Sequence, residues 1–169
     1  LRELAAARGG KLPKLIWALD NEPGAHKYTR RWVTEARALG YLCEAAQLPQ
    51  RNNRKFDWND LHQRWMFIDD AAERAAQIEK DLKTARHEGA LLIAESPAEK
   101  ALLMYDWNSR GEFHFRFGNR LFWFKLDLEK FDRAMRAFEN SDDHEDKLLN
   151  DRQKRDKALQ QSGNVVEIA

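Results

Sequence analysis

Five apolar residues in a row, Leu15-Ile16-Trp17-Ala18-Leu19, run directly into the polar turn Asp20-Asn21-Glu22-Pro23-Gly24. A short unbroken apolar run suits a strand covered on both faces, as in a parallel sheet. The Pro-Gly pair forces a change of direction at its end. Beyond the turn the apolar spacing becomes helical. Tyr28, Trp32, Ala36 and Leu39 share one stripe, with Val33 beside it, which predicts a helix over 25–39 ended by Gly40. A second strand is expected over 41–48, stopped at Pro49. Strand, helix, strand in that order implies a crossover connection and parallel strands.

Residues 1–8 read as the end of a helix, closed by Gly9-Gly10, ahead of this unit. After it comes a polar, basic loop over 50–55, and Asp57-Trp58-Asn59-Asp60 then opens a helix over 61–67. A long Ala-, Glu-, Lys- and Arg-rich helix follows over 69–87, broken by Gly89, and reads as a connector.

The second half has a different grammar. Ser96-Pro97 is an N-cap followed by a first-turn proline, with Glu99 at the capping-box position, so a helix is expected from 97 to about 107. Two strands flank Gly118-Asn119, a two-residue hairpin signal. The implied register sets Phe117 opposite Arg120, Phe115 opposite Phe122 and Phe113 opposite Phe124. One side of the hairpin is then almost wholly phenylalanine, the other pairing Arg116 with Leu121, His114 with Trp123 and Glu112 with Lys125. An aromatic sheet face can stack single-stranded bases; burial of the phenylalanines under the helix over 97–107 or the next one, over 128–138, is the expectation preferred here. A charged helix with little apolar surface is expected over 142–161, and residues 165–168 read as the first strand of whatever comes next. The predicted fold class is α/β: a partial, Rossmann-like parallel sheet over 1–68, a connector helix over 69–94, and a helix-rich α+β accessory region over 95–169 with a hairpin at 112–126.

Composition narrows the functions open to such a chain. Charged residues make up 34% of the 169, but six Trp and nine Phe argue against disorder. No apolar run approaches ~18 residues, so no membrane-spanning helix and no membrane partner are expected. No signal peptide is recognisable. Cys43, alone in the sequence, has no partner for an internal disulfide, which points to a reducing, cytoplasmic location. In a predicted strand without a His neighbour it reads as packing. The five His show no metal-ligand spacing, and His144 falls in an acidic stretch that suits a solvated helix face. The sequence opens without Met, which suggests a piece of a longer protein. Net charge is +1 overall but +5 over residues 1–65 and −4 over 66–169. The basic first third would attract phosphate-bearing partners, unless it is ordinary surface charge.

Two acidic segments carry the chemistry. Asp20 and Glu22 stand two residues apart at the carboxyl end of a predicted strand, the edge where open α/β sheets bind ligands. Carboxylate pairs there can share a hard divalent cation, which neutralises phosphate oxygens during phosphoryl chemistry. The alternative is that Asp20 or Asn21 caps the following helix. Asp57, after the next strand, returns to the same edge and either adds a third carboxylate or caps its own helix. Lys27, Arg30, Arg31 and Arg37 lie off the apolar stripe of the 25–39 helix; with Arg51, Arg54 and Lys55 they form a candidate phosphate-contacting set.

Together, Ala18-Leu19-Asp20-Asn21-Glu22-Pro23-Gly24-Ala25, the helix, Gly40-Tyr41, Leu48-Pro49 and Asp57-Trp58-Asn59-Asp60-Leu61 resemble the later half of a Toprim domain, above all the Toprim modules of phage, plasmid and mobile-element primases and primase–helicases. The resemblance spans roughly 13–67. It sets Asp20 and Glu22 on the family's paired acidic positions, Asp57 on its later acidic motif and Gly24 on its turn glycine. Glu22 stands where the family usually has Asp, and Pro23-Gly24 replaces a residue-Ala-Gly step. The family's Glu-Gly catalytic motif has no counterpart, since Glu3 precedes Leu4 within a predicted helix.

The resemblance implies Mg²⁺ (or Mn²⁺) held by Asp20, Glu22 and Asp57, with Asp20 and Glu22 catalytic. The implied activity is nucleotidyl transfer in primer synthesis on a single-stranded DNA template. The general acid or base would lie upstream, leaving this piece inactive alone, and a helicase domain would share the polypeptide. A non-catalytic module binding DNA or a replication partner is the alternative, and a Toprim-type nuclease a narrower one. A sheet lacking its upstream strands would expose an edge open to self-association.

Overall fold

The structure, a computed structural model, describes residues 2–7, 9–50 and 55–168. It divides into two compact units, Leu1–Ile93 and Ala94–Ala169. The first contains α1 (Arg2–Ala7), β1 (Leu15–Trp17), α2 (Pro23–Ala38), β2 (Cys43–Ala45), α3 (Trp58–Met66) and α4 (Ala71–Leu92). β1 and β2 pair in parallel, Leu15 beside Cys43 and Trp17 beside Ala45, with α2 as the connection. The chain is thus mixed α/β, as expected.

Both strands are shorter than the apolar runs predict, because other partners take over the backbone. Ala46 N–H still donates to Trp17 O at 2.8 Å, but Gln47 N–H donates to Ala85 O of α4 at 2.8 Å. Leu48 O accepts from the Asn21 side chain. β1 is also not covered on both faces as expected, since Ile16 is 47% exposed. Trp17, on the alternate side, packs on the Val33–Ala45–Ile93 cluster, so β1 buries mainly one face.

Two apolar clusters hold this unit. Val33 of α2, Ala45 of β2 and Ile93 form one, packed by Trp17, Cys43 and Leu92. Ala46, Leu48, Leu61 of α3 and Ala85 of α4 form the other, with Phe56, Trp58 and Trp65 around it. The helix expected over 69–87 is longer and runs through Gly89 instead of breaking there. The reason is contact: a Cβ on Gly89 would lie 2.0 Å from Ala45 O, so glycine lets α4 press on the β2 backbone. The predicted connector is therefore a packed wall of the first unit. Asp81 fastens it to α3, accepting from Trp65 Nε1 (2.9 Å) and Arg64 (2.9 and 3.2 Å), while Gln77 Nε2 of α4 itself donates to it at 2.9 Å.

The second unit contains α5 (Pro97–Asn108), β3 (Glu112–Phe117), β4 (Arg120–Lys125), α6 (Leu128–Glu139), α7 (His144–Lys147), α8 (Asp151–Gln161) and β5 (Val165–Glu167). The hairpin has the register expected at all six pairs. Ser96 caps α5, while Glu99 accepts from Glu95 N–H rather than closing the box on Ser96. Ser109 ends the helix in the left-handed region at φ 55°.

Two expectations change here. The single helix over 142–161 is split, Asp143 capping α7 and Asn150 capping α8. And β5 does not begin something new; it pairs antiparallel with β4, giving the order β3-β4-β5. The phenylalanine side is the core: Phe115, Phe122 and Phe124 are buried with Ala98 and Ala101 of α5, Leu159 of α8 and Val165 of β5. α8 thus has an apolar footing, Ala158 and Leu159, that its charged sequence conceals. Asn164, 1% exposed, locks the corner: its Oδ1 accepts from Asp127 N–H and its Nδ2 donates to Ser162 Oγ.

Candidate functional site

The loop after β1 is shaped by its own side chains. Glu22 is the N-cap of α2 by position, in extended backbone, but makes no side-chain cap bond; Pro23 supplies the fixed φ of the first turn. Neither Asp20 nor Asn21 caps the helix. Gly24 lies inside that first turn, with no positive φ and open space around a Cβ, so the turn expected of it does not require glycine. Asn21 takes the structural work instead: Nδ2 donates to Leu48 O, and Oδ1 meets His26 Nε2, tying the β1 loop to the end of the β2 segment and to α2. Burial, then the Arg30 guanidinium, holds the His26 imidazole below its ordinary pKa. No sequence signal pairs Asn21 with a carbonyl so distant along the chain, and sequence reasoning missed it.

Asp57 adopts the capping alternative. Its Oδ1 accepts from Asn59 and Asp60 N–H at 2.9 and 3.0 Å, and Asp60 Oδ2 returns the bond to Asp57 N–H, a complete capping box.

The acidic segments meet through Lys55. Its Nζ lies 3.2 Å from Glu22 Oε1. The hydrogen bond to Glu22, its charge and those of Asp20 and Asp57 hold the ammonium above its usual pKa. One cation therefore sits in the field of all three predicted carboxylates. Among the described residues, no three His, Cys, Asp or Glu side chains are gathered closely enough to ligate one ion.

Beside Lys55 a cavity of about 650 Å³ opens over Leu48, Phe56 and Leu61, edged by Arg64, Lys80 and Asp81. A smaller apolar hollow of about 320 Å³ lies at β1, lined by Leu15, Trp17, Trp32, Leu39 and Tyr41.

The basic set is partly engaged. Arg30 Nε donates to Leu92 O at 3.0 Å, closing the end of α4, and Arg31 pairs with Glu35 at 3.2 Å. Lys27 is exposed. Arg51 and Arg54 lie outside the described residues. Also among these residues, no helix is long and apolar enough to cross a membrane.

Comparison with protein-family models, with curated proteins and with solved structures finds no match to this chain.

Proposed function

We propose that the first unit is the later half of a Toprim-like module serving metal-dependent nucleotidyl transfer in primer synthesis. The observation that supports this reading is the position of Lys55: a cation 3.2 Å from Glu22 and in the field of Asp20 and Asp57. A place that holds an ammonium among carboxylates has the oxygen donors a hard divalent ion takes. Asp20 and Glu22 would hold Mg²⁺ or Mn²⁺, with the charge of Asp57 adding to the same field. Bound there, the ion would neutralise phosphate charge during transfer. Lys55 and Lys27 would meet phosphate oxygens, and the adjoining cavity offers room for a nucleotide. Glu22 is free to ligate only when Lys55 lets go, so cation and Lys55 compete.

That competition is testable by titrating the protein with Mg²⁺ or Mn²⁺ and following the amide signals of Asp20, Glu22 and Lys55. Saturable shifts are expected, lost in Asp20→Asn and moved to lower cation concentration in Lys55→Ala. A folded protein without response above millimolar cation would end the proposal.

A second reading rests on the capping box at Asp57 and the Lys55–Glu22 pair. There the acids are structural, and the chain is a non-catalytic module binding DNA or a replication partner. On that reading Lys55→Ala loosens the loop and gains no cation affinity.

A further inference from the structure

The side of the hairpin sheet opposite the phenylalanine core has a chemistry of its own. Strand alternation places Glu112, His114 and Arg116 of β3, Leu121, Trp123 and Lys125 of β4, and Val166 of β5 on that outer side. His114, Arg116 and Lys125 are exposed, and Val166 is 38% exposed. The core contacts of α5, α6 and α8 all fall on the phenylalanine side.

At the centre of the outer side two rings stack with nearly parallel planes. His114 and Trp123 have centroids 6.5 Å apart and an interplanar angle of 17°. Lys125 Nζ stands 5.6 Å from the Trp123 ring centre. The carboxylate on this side, Glu112, accepts from Trp123 Nε1 at 3.1 Å, which fixes the indole.

The geometry points to a stacking platform for single-stranded DNA. Flat aromatic rings present π-faces to unpaired bases, and flanking cations follow the phosphate chain. Arg116 and Lys125 supply that charge on either side of the ring pair. A protein partner would have to bury two cations and an imidazole beside one carboxylate, whereas a polyanion with exposed bases matches both features. Duplex DNA hides its base faces and gains nothing from the rings. The choice of DNA over RNA rests on the replication reading above; the platform itself does not depend on the metal site.

The test is fluorescence anisotropy of a labelled oligothymidylate of about ten nucleotides with the full chain, in chelator so that the cation site plays no part. Trp123→Ala is expected to weaken binding about tenfold and Trp123→Phe to retain most of it. Arg116→Ala with Lys125→Ala should flatten the slope of log affinity against log salt by about 1.4. That double variant keeps the proposal open to refutation should Trp123→Ala fail to fold. Unchanged affinity and salt slope in folded variants would overturn it. So would equal binding to a duplex of the same length, Trp123-dependent binding of oligouridylate with none of oligothymidylate, or self-association through Trp123 in the absence of DNA binding.

Discussion

Three residues show how magnitudes decide between opposing effects. Gly89 sits in the last turns of a long helix, where Ala would gain about 1 kcal/mol of helix propensity. Its Cβ would, however, meet the Ala45 carbonyl at 2.0 Å, a backbone atom that has no rotamer to give. Overpacking of this kind costs about 1–3 kcal/mol or more, so Gly89→Ala is expected to destabilise the first unit by about 2 kcal/mol in urea unfolding. A neutral or stabilised variant would show that α4 can lift off β2. Two aspartates carry opposite signs. Burial alone would raise the Asp81 carboxyl; bonds from Gln77, Trp65 and Arg64 outweigh it and hold the group below the usual range. At Asp156 burial wins: Ser96 and Arg152 favour the carboxylate, Glu99 and Glu95 oppose it, Oδ1 has no partner among the described residues, and the carboxyl is raised.

The sign of each pH effect follows. Asp81 is depressed in the folded state, so its stabilisation is present above the ordinary carboxylate pKa and is lost as pH falls through the folded value. Asp156 is raised, so its penalty stands at neutral pH and is relieved as pH falls through its folded value towards the ordinary one. Asp81→Asn should therefore remove acid sensitivity from the α3–α4 packing, and Asp156→Asn should stabilise the second unit at pH 7. Parallel unfolding curves at pH 4 and 7 read both; identical pH dependence in wild type and variants would refute the assignment.

At the scale of elements, caps explain much of what the acidic residues do. Asp57, Asp70, Asp127 and Asp143 each accept a backbone N–H at a helix start, as do Ser96 and Asn150. Each such cap contributes about 1 kcal/mol. This is why an acidic motif before a helix is ambiguous in sequence: Asp57 fits a ligand pattern and a capping box equally, and its Oδ1 serves the box. The hairpin, by contrast, was fully legible, because Gly118-Asn119 fixes the loop and the alternation then fixes every pair. The short parallel strands were legible in place but not in length. Their ends are set by Ala85 O and the Asn21 amide, partners far along the chain that no local pattern encodes. α8 misled for the same reason, since Ala158 and Leu159 are a minor part of its composition yet both are buried, Leu159 in the core under the sheet.

For the whole molecule, each apolar cluster lies within one unit: two in Leu1–Ile93 and one in Ala94–Ala169. A unit with its own core is able to fold alone. Residues 94–169 expressed separately are expected to give a cooperative thermal transition and a near-ultraviolet signal from Trp123; a chain without fixed tertiary signal would show that the second unit leans on the first. Within that unit, the hairpin alone is marginal, because two strands need a further layer. That layer comes from both directions along the chain, α5 ahead of the hairpin, and Leu159 and Val165 well behind it. During synthesis both apolar clusters of the first unit can close once α4 and Ile93 have left the ribosome, whereas the phenylalanine face stays open on one side until β5 has emerged. A chaperone that reads exposed aromatic strands would thus meet this protein in a defined interval, after the hairpin appears and before its closing strand arrives.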